Sequence, residues 1–156
     1  MAEYSGYNFL KRALRQHPGV MVQRVENGVG PGTPDVYTCV QGISAWFETK
    51  ELTPLTIDGV VYWRLKKVTA AQPPWWARAR ACGVPLFGIF NFPSRIGHQP
   101  IVVRVEGLIA ASSKPGLTVV DTLKYRVTLE EVYRGRQLKG PDGRSHLQDG
   151  ALGAPA

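Results

Sequence analysis

Two acidic residues and a lysine in the first third of the chain have types and spacing suited to phosphodiester hydrolysis. Asp35 opens one β-rich run, and Glu48 and Lys50 lie two positions apart on the next. If Gln41-Gly42 forms a two-residue hairpin turn, for which glycine is well suited, Asp35 lies directly opposite Glu48. Opposed residues have Cβ atoms about 4.5–5.5 Å apart, and two carboxylates at that distance repel. A divalent cation between them would remove the repulsion.

The same segment supplies a positive charge. Alternate residues of a strand share a face, so the Lys50 ammonium projects on the side of Glu48. Mg²⁺ prefers oxygen ligands and binds through one or two carboxylates together with substrate phosphate. In such a site Lys50 would position a water or assist its deprotonation and stabilise charge, which predicts a phosphodiester hydrolase. The alternative is that Asp35 is a turn residue and Glu48 and Lys50 form an ordinary surface pair.

The elements predicted around this segment alternate strands with helices. A first helix is expected over 5–16. A second helix is expected to be capped by Thr69, to tolerate Pro73 and Pro74 in its first turn and to end at Cys82-Gly83. Strands are expected over 20–25, 34–40, 43–49, 86–92 and 101–105, with a second hairpin around Asp58-Gly59 and a further strand and short helix within 117–133. This order predicts an α/β fold in which the strand from Leu86 is buried on both faces.

Composition excludes several other classes. The chain has 156 residues, 44% apolar and 20% charged, which is typical of one globular domain. Cys39 and Cys82 are too few for a zinc cluster or a disulfide framework and are predicted to be buried free thiols. The three histidines lack metal-ligand spacing. Without an apolar run long enough to span a membrane, the protein is expected in the cytoplasm, or in the host cytoplasm if phage-encoded.

The positive charge is concentrated in one part of the chain. The net charge is +7, and residues 52–105 contain seven basic groups against one acid. Such an excess favours a polyanionic partner, although a simple role in solubility is the alternative. Five of these basic groups flank the acidic segment in sequence and are predicted to contact DNA phosphates: Arg64, Lys66, Lys67, Arg78 and Arg80. Three nearby tryptophans are expected either in the core or stacked on exposed bases: Trp63, Trp75 and Trp76.

The acidic segment has the form of a known nuclease motif. Pro34-Asp35 is followed, after twelve intervening residues, by Glu48-Thr49-Lys50. This pattern resembles the PD-(D/E)XK nuclease superfamily, and within it the virus-type replication-repair nucleases and the Holliday junction resolvases. The resemblance extends from the first helix to about Val105 and includes other positions: Gly32, Lys66-Lys67, Gln72 and Gly83.

The resemblance implies a restriction-endonuclease-like fold, a central mixed sheet flanked by helices. It implies that Asp35 and Glu48 are metal ligands together with the backbone carbonyl of Thr49, that Lys50 is the catalytic lysine, and that Gln72 lies near the site. Related resolvases also use a glutamate of the first helix, for which Glu3 is the candidate. The resemblance further implies Mg²⁺, with Mn²⁺ as a substitute, and a homodimer that cuts a four-way DNA junction.

Other substrates remain open at this stage. A flap or repair nuclease or a restriction-type enzyme would use the same residues, and a basic protein that binds nucleic acid without cleaving it would match the motif by accident. We expect one nuclease domain over 1–138 with its core at about 5–105. Residues 139–156, rich in Gly, Asp, Ser and Pro, are predicted to be a disordered tail.

Overall fold

One mixed sheet forms the centre of the molecule. The computed structural model describes residues 2–25, 32–93 and 99–137, with side chains described over 6–25, 32–93 and 99–133. Within these residues seven strands pair in the order β1-β2-β3-β5-β6-β7, with β4 also paired to β3. Among the strand pairs of the described residues, β3 and β5 run parallel and the others run antiparallel. The strands are β1 (Val20–Arg24), β2 (Val36–Val40), β3 (Ile43–Ile57), β4 (Val60–Leu65), β5 (Leu86–Asn91), β6 (Ile101–Arg104) and β7 (Arg126–Val127).

Helices cover both faces of this sheet. The described helices are α1 (Ala2–Leu14), α2 (Gln72–Cys82), α3 (Val105–Ala111), α4 (Val119–Tyr125) and α5 (Leu129–Gln137). Neighbouring residues of β5 enter different cores: Ile89 packs with α1 and α5, whereas Phe90 packs with α2 and α3. Because successive side chains of a strand point to opposite faces, the two cores lie on opposite sides of the sheet. The predicted α/β architecture, a central mixed sheet flanked by helices, is confirmed.

Both predicted hairpin turns form, and they set the register of the strands. Gln41 and Gly42 have φ of 52° and 86°, and Asp58 and Gly59 have φ of 50° and 80°. Positive φ at both central residues belongs to the turn whose twist matches that of paired strands. Val36 therefore pairs with Phe47. Asp35, one residue earlier, is brought opposite Glu48 as the sequence predicted.

A single long strand, β3, connects the two hairpins, where the sequence had suggested two shorter runs. It pairs with β2 over 43–47, with β5 over 46–51 and with β4 over 52–57. Trp46 donates its backbone N–H to Pro85 beside β5, whereas the carbonyl of Glu51 accepts from Lys66 beside β4. Since alternate residues of a strand direct their backbone groups to opposite edges, β2 and β4 lie end to end along the same edge of β3. Along this edge of β3, the pairing with β2 ends at residue 47 and the pairing with β4 begins at residue 52. We call the interval along residues 48–51 the strand gap.

The second helix differs from the prediction at its start and in its buried face. It begins at Gln72, and its N-cap is Ala71, which makes no side-chain capping bond. Thr69 is therefore not the cap; its backbone N–H instead bonds the Gln72 side chain. The buried residues are Trp76 and Ala79. The spacing of Trp75, Ala79 and Cys82 predicts that these three share the buried face; Ala79 is buried as expected, but packing against the sheet buries Trp76 rather than Trp75 and leaves Cys82 exposed.

Several further expectations have clear outcomes. Cys82 is exposed and Cys39 is only partly buried, so the prediction that both thiols are buried is wrong. Helix α3 was not predicted, since a seven-residue helix carries little periodic signal. The predicted tail at 139–156 lies outside the described residues. No helix in the described parts of the chain is both long and apolar enough to cross a membrane.

Candidate active site

Asp35 is held at the strand gap by Thr49. Its Oδ2 accepts hydrogen bonds from the backbone N–H and from the Oγ1 hydroxyl of Thr49, each at 2.9 Å. The carboxylate thus takes the place of a strand partner where β2 ends. The N–H and C=O of one strand residue point to the same edge, so the Thr49 carbonyl is directed to the edge where Asp35 lies. This direction agrees with the predicted role of that carbonyl as a ligand.

The segment that leads to Asp35 is pressed against helix α2. Gly32 has a φ of +83°, and a Cβ added there would lie 2.7 Å from the carbonyl oxygen of Ala71. Only glycine fits this conformation and this close approach without strain. The contact fixes the distance between the loop before Asp35 and the start of α2, where Gln72 lies.

Glu48 is buried beneath helix α2 with a donor near each oxygen. Its side chain is 1% exposed. Trp76 Nε1 donates to Glu48 Oε1 at 3.2 Å, and Gln72 Nε2 approaches Oε2 at 3.4 Å. Burial, the charge of Asp35 and a hydrogen bond with Asp35 raise the pKa of Glu48 to about 9, against the opposing effects of Lys50 and Trp76. The carboxylate is therefore costly to ionise unless a positive charge approaches it.

Lys50 lies on the same face of β3 and is 8% exposed. Its Nζ donates to the backbone carbonyl of Lys67 and to Gln72 Oε1, the latter at 2.8 Å. Gln72 Oε1 also accepts from the Thr69 N–H at 3.0 Å. Two donors at this atom identify it as the amide oxygen, which leaves the amide nitrogen facing Glu48. Gln72 therefore bridges the lysine and the carboxylate.

The residues present suit a hard divalent cation. In the described part of the chain no cluster of three or more His, Cys, Asp or Glu side chains occurs. Two carboxylates and a backbone carbonyl nevertheless match Mg²⁺, which takes one or two carboxylates and completes its shell with water and phosphate. Burial, and after it the charge of Asp35, raises the pKa of Glu48, so a positive charge bound between the two carboxylates would favour the ionised form of Glu48. The set Asp35, Glu48 and Thr49 carbonyl therefore fits the predicted ion.

The first helix approaches the site from the other face of the sheet. A Cβ added at Gly6 would overlap the side chain of Thr49, so α1 packs directly against the strand gap. Glu3 lies in the first turn of this helix. Its side chain lies outside the described residues, and its role as a further ligand stays a prediction.

The predicted phosphate-binding residues divide into two groups. Lys66 and Lys67 follow β4 at the rim of the site, where Lys66 forms an ion pair of 3.2 Å with Glu51. Arg64 is partly buried on β4. Arg80 is eight residues beyond Gln72 on α2, about 12 Å along the axis, and pairs with Glu106 at 3.3 Å. The structure thus brings the lysines to the site, and it leaves the exposed Arg78 and Arg80 farther along the helix.

Trp76 is the site residue that the sequence did not identify. The sequence predicts for it either a place in the core or stacking on exposed bases, and it is fully buried. Trp63, at 9% exposure, also lies in the core, and Trp75 packs partly buried against it. The available signal was the spacing of Gln72 and Trp76, one helical turn apart, which places both on the face of α2 that meets Glu48.

Comparison with known proteins finds a likeness among solved structures. No protein-family model matches the chain, and no curated protein sequence matches it. Among solved structures, the 1.6 Å structure of Archaeoglobus fulgidus Hjc, a Holliday junction resolvase from an archaeal hyperthermophile, matches with a TM-score of 0.49 and 16% sequence identity. The match covers 81% of this chain and 94% of that chain.

Proposed function

We propose that this protein is a divalent-metal-dependent endodeoxyribonuclease that hydrolyses phosphodiester bonds in branched DNA. The observation that carries the proposal is the group at the strand gap: Asp35 opposite buried Glu48, with Lys50 on the same face and fixed by two acceptors. Two carboxylates that would hold a divalent cation, with an ammonium beside them, suit a phosphate ester better than a neutral substrate. The preference for branched DNA rests on the motif's resemblance to resolvases.

Asp35 and Glu48, with the Thr49 carbonyl, would hold Mg²⁺ or Mn²⁺. When bound, the ion supplies Lewis-acid polarisation of the scissile phosphate and lowers the pKa of a coordinated water. Glu48 must lose its proton to act as a ligand, and the hydrogen bond from Trp76 favours the ionised form. Thr49 keeps Asp35 directed into the gap through its two hydrogen bonds.

Lys50 would act on the phosphate and on the attacking water. The Lys67 carbonyl and Gln72 Oε1 accept two of the three ammonium protons, and the third is available to a substrate oxygen. Held in this way, the ammonium can stabilise charge that develops on the phosphate or orient the water. Gln72 keeps Lys50 and Glu48 in register, because one amide contacts both.

The remaining parts of the proposal concern the whole protein. We infer a restriction-endonuclease-like nuclease domain over 1–138 and a cytoplasmic location consistent with roles in DNA recombination and repair. A homodimer is inferred because cutting two symmetric strands requires two sites. Lys66 and Lys67 would hold the DNA arm nearest the site through its phosphates, with Arg64, Arg78 and Arg80 contributing farther away.

Cleavage of defined DNA substrates tests the proposal. A labelled four-way junction, a flap and a linear duplex of the same sequence are incubated with the protein in Mg²⁺ at one salt concentration. We expect symmetric nicks in the four-way junction. Lys50→Ala and Asp35→Asn should abolish them, and Lys124→Ala is the matched control because Lys124 lies on α4 in an ion pair with Asp121.

The outcomes separate the alternatives. Metal-dependent cleavage of the flap alone would keep the chemistry and change the substrate to a repair intermediate, and sequence-specific cutting of the duplex would indicate a restriction-type enzyme. Binding of all three DNAs without cleavage in Mg²⁺ or Mn²⁺ would overturn the enzymatic proposal. Equal cleavage by Lys50→Ala and Lys124→Ala would overturn the assignment of the site.

A further inference from the structure

Helix α2 contacts the two oxygens of Glu48 in unequal ways. The Trp76 indole, 0% exposed, donates from Nε1 to Oε1 at 3.2 Å. Gln72 approaches Oε2 at 3.4 Å, while its own oxygen is engaged by Lys50 and Thr69. The two donors differ in how they are held, because the Trp76 contact is buried in the core and the Gln72 contact is only partly buried. Glu48 also shares a hydrogen bond with Asp35. Oε1 therefore has the donor whose position packing fixes.

The position of the indole is fixed by packing that does not depend on Glu48. Trp76 and Ala79 are the buried residues of α2, and Trp76 belongs to the core cluster that includes Leu52 and Phe90. A ring held in a close-packed core has little freedom to move. A buried indole N–H also requires a hydrogen-bond acceptor, since leaving it unpaired is costly. The Glu48 carboxylate meets that requirement.

We propose that Trp76 is a positioning residue that, by donating to Oε1, holds the Glu48 carboxylate in the orientation in which it binds the divalent cation. The inference deepens the proposed function and rests on it. Trp76 would then have two roles, because the ring that packs α2 against the sheet also sets the rotamer of a metal ligand. Donors that orient metal ligands commonly change metal affinity when they are removed.

The test uses Trp76→Phe, which removes the N–H and keeps an aromatic ring in the core. The matched control is Trp63→Phe, which makes the same change in the same core cluster away from Glu48. Mn²⁺ binding to each full-length protein is measured by calorimetry without DNA. We expect Trp76→Phe to bind Mn²⁺ about 10–100-fold more weakly than wild type, and Trp63→Phe to bind like wild type. Thermal unfolding of both variants checks that each is folded.

A measurement on the unaltered protein covers the case in which Trp76→Phe does not fold. In a ¹⁵N-labelled sample, the indole N–H signal of Trp76 should shift when Mg²⁺ is added, and that of Trp63 should not. Cleavage assays add a second readout: the Mg²⁺ concentration for half-maximal rate should rise in Trp76→Phe, with the rate recovering at high Mg²⁺.

Each result bears on one claim. Equal Mn²⁺ affinity of Trp76→Phe and wild type, or an unchanged Trp76 signal on Mg²⁺ addition, would overturn the positioning role. Failure of the wild-type protein to bind Mn²⁺ would overturn it as well. A wild-type protein that binds Mn²⁺ through Trp76-dependent contacts but cleaves no DNA would refute the proposed function and leave the positioning role standing.

Discussion

Glu48→Gln should remove a pH dependence of folding stability that the wild-type protein shows in the absence of metal. The folded state raises the pKa of Glu48 from 4.5 to about 9, chiefly through burial and then through Asp35. Between these values the folded protein keeps a proton that the unfolded chain releases. Stability is therefore greatest below the unfolded pKa and is lost as the pH rises towards the folded one. Glutamine has nearly the same shape and does not titrate.

The size of the effect follows from the number of protons. Between the unfolded pKa of 4.5 and the folded pKa of about 9, folding is accompanied by the uptake of close to one proton at Glu48. The free energy of unfolding therefore falls by about 1.4 kcal/mol for each unit by which the pH rises. Between about pH 6 and about pH 8 the wild type should lose about 3 kcal/mol that Glu48→Gln retains. The difference between the two proteins isolates Glu48 from the groups that both proteins share.

Urea unfolding of the two proteins at both pH values, with a chelator present, measures this difference. Adding Mg²⁺ at the higher pH should then stabilise the wild type more than Glu48→Gln, because a bound cation favours the ionised carboxylate. Parallel pH profiles for the two proteins would refute the reasoning. They would mean that the Glu48 carboxyl is solvated in solution and does not face Asp35 in a buried site.

Three further predictions concern the surroundings of the site. Gly6→Ala should lower the free energy of unfolding by about 1–3 kcal/mol in urea, because the new Cβ overlaps Thr49; unchanged stability would contradict this packing. Lys67→Ala should weaken DNA binding and reduce its salt dependence by about one phosphate contact. Arg80→Ala should weaken binding less, because Arg80 is farther from the site and already paired with Glu106; fluorescence-anisotropy titrations measure both effects. Mg²⁺ should strengthen DNA binding by the cleavage-dead Lys50→Ala variant, because the cation neutralises the carboxylates of Asp35 and Glu48. Equal or weaker binding in Mg²⁺ would contradict this prediction.

The sequence was sufficient to predict the pairing at the centre of the site. Gln41-Gly42 determines a two-residue turn, and the turn determines the register that brings Asp35 opposite Glu48. This step is local, because the backbone angles of two residues decide it. The alternation of side chains along a strand is also local, and it places Lys50 beside Glu48.

The tertiary structure alone decided how that pair is enclosed. A helix with two adjacent tryptophans does not reveal which ring faces the sheet, and packing against β3 and β5 buries Trp76 and leaves Trp75 at the margin. The strand gap has the same origin: β2 and β4 pair with separate parts of one strand, and no local pattern shows that they share an edge. Burial and hydrogen-bond partners depend on contacts distant in sequence, so only the folded chain makes Glu48 a buried acid and Lys50 a fixed cation.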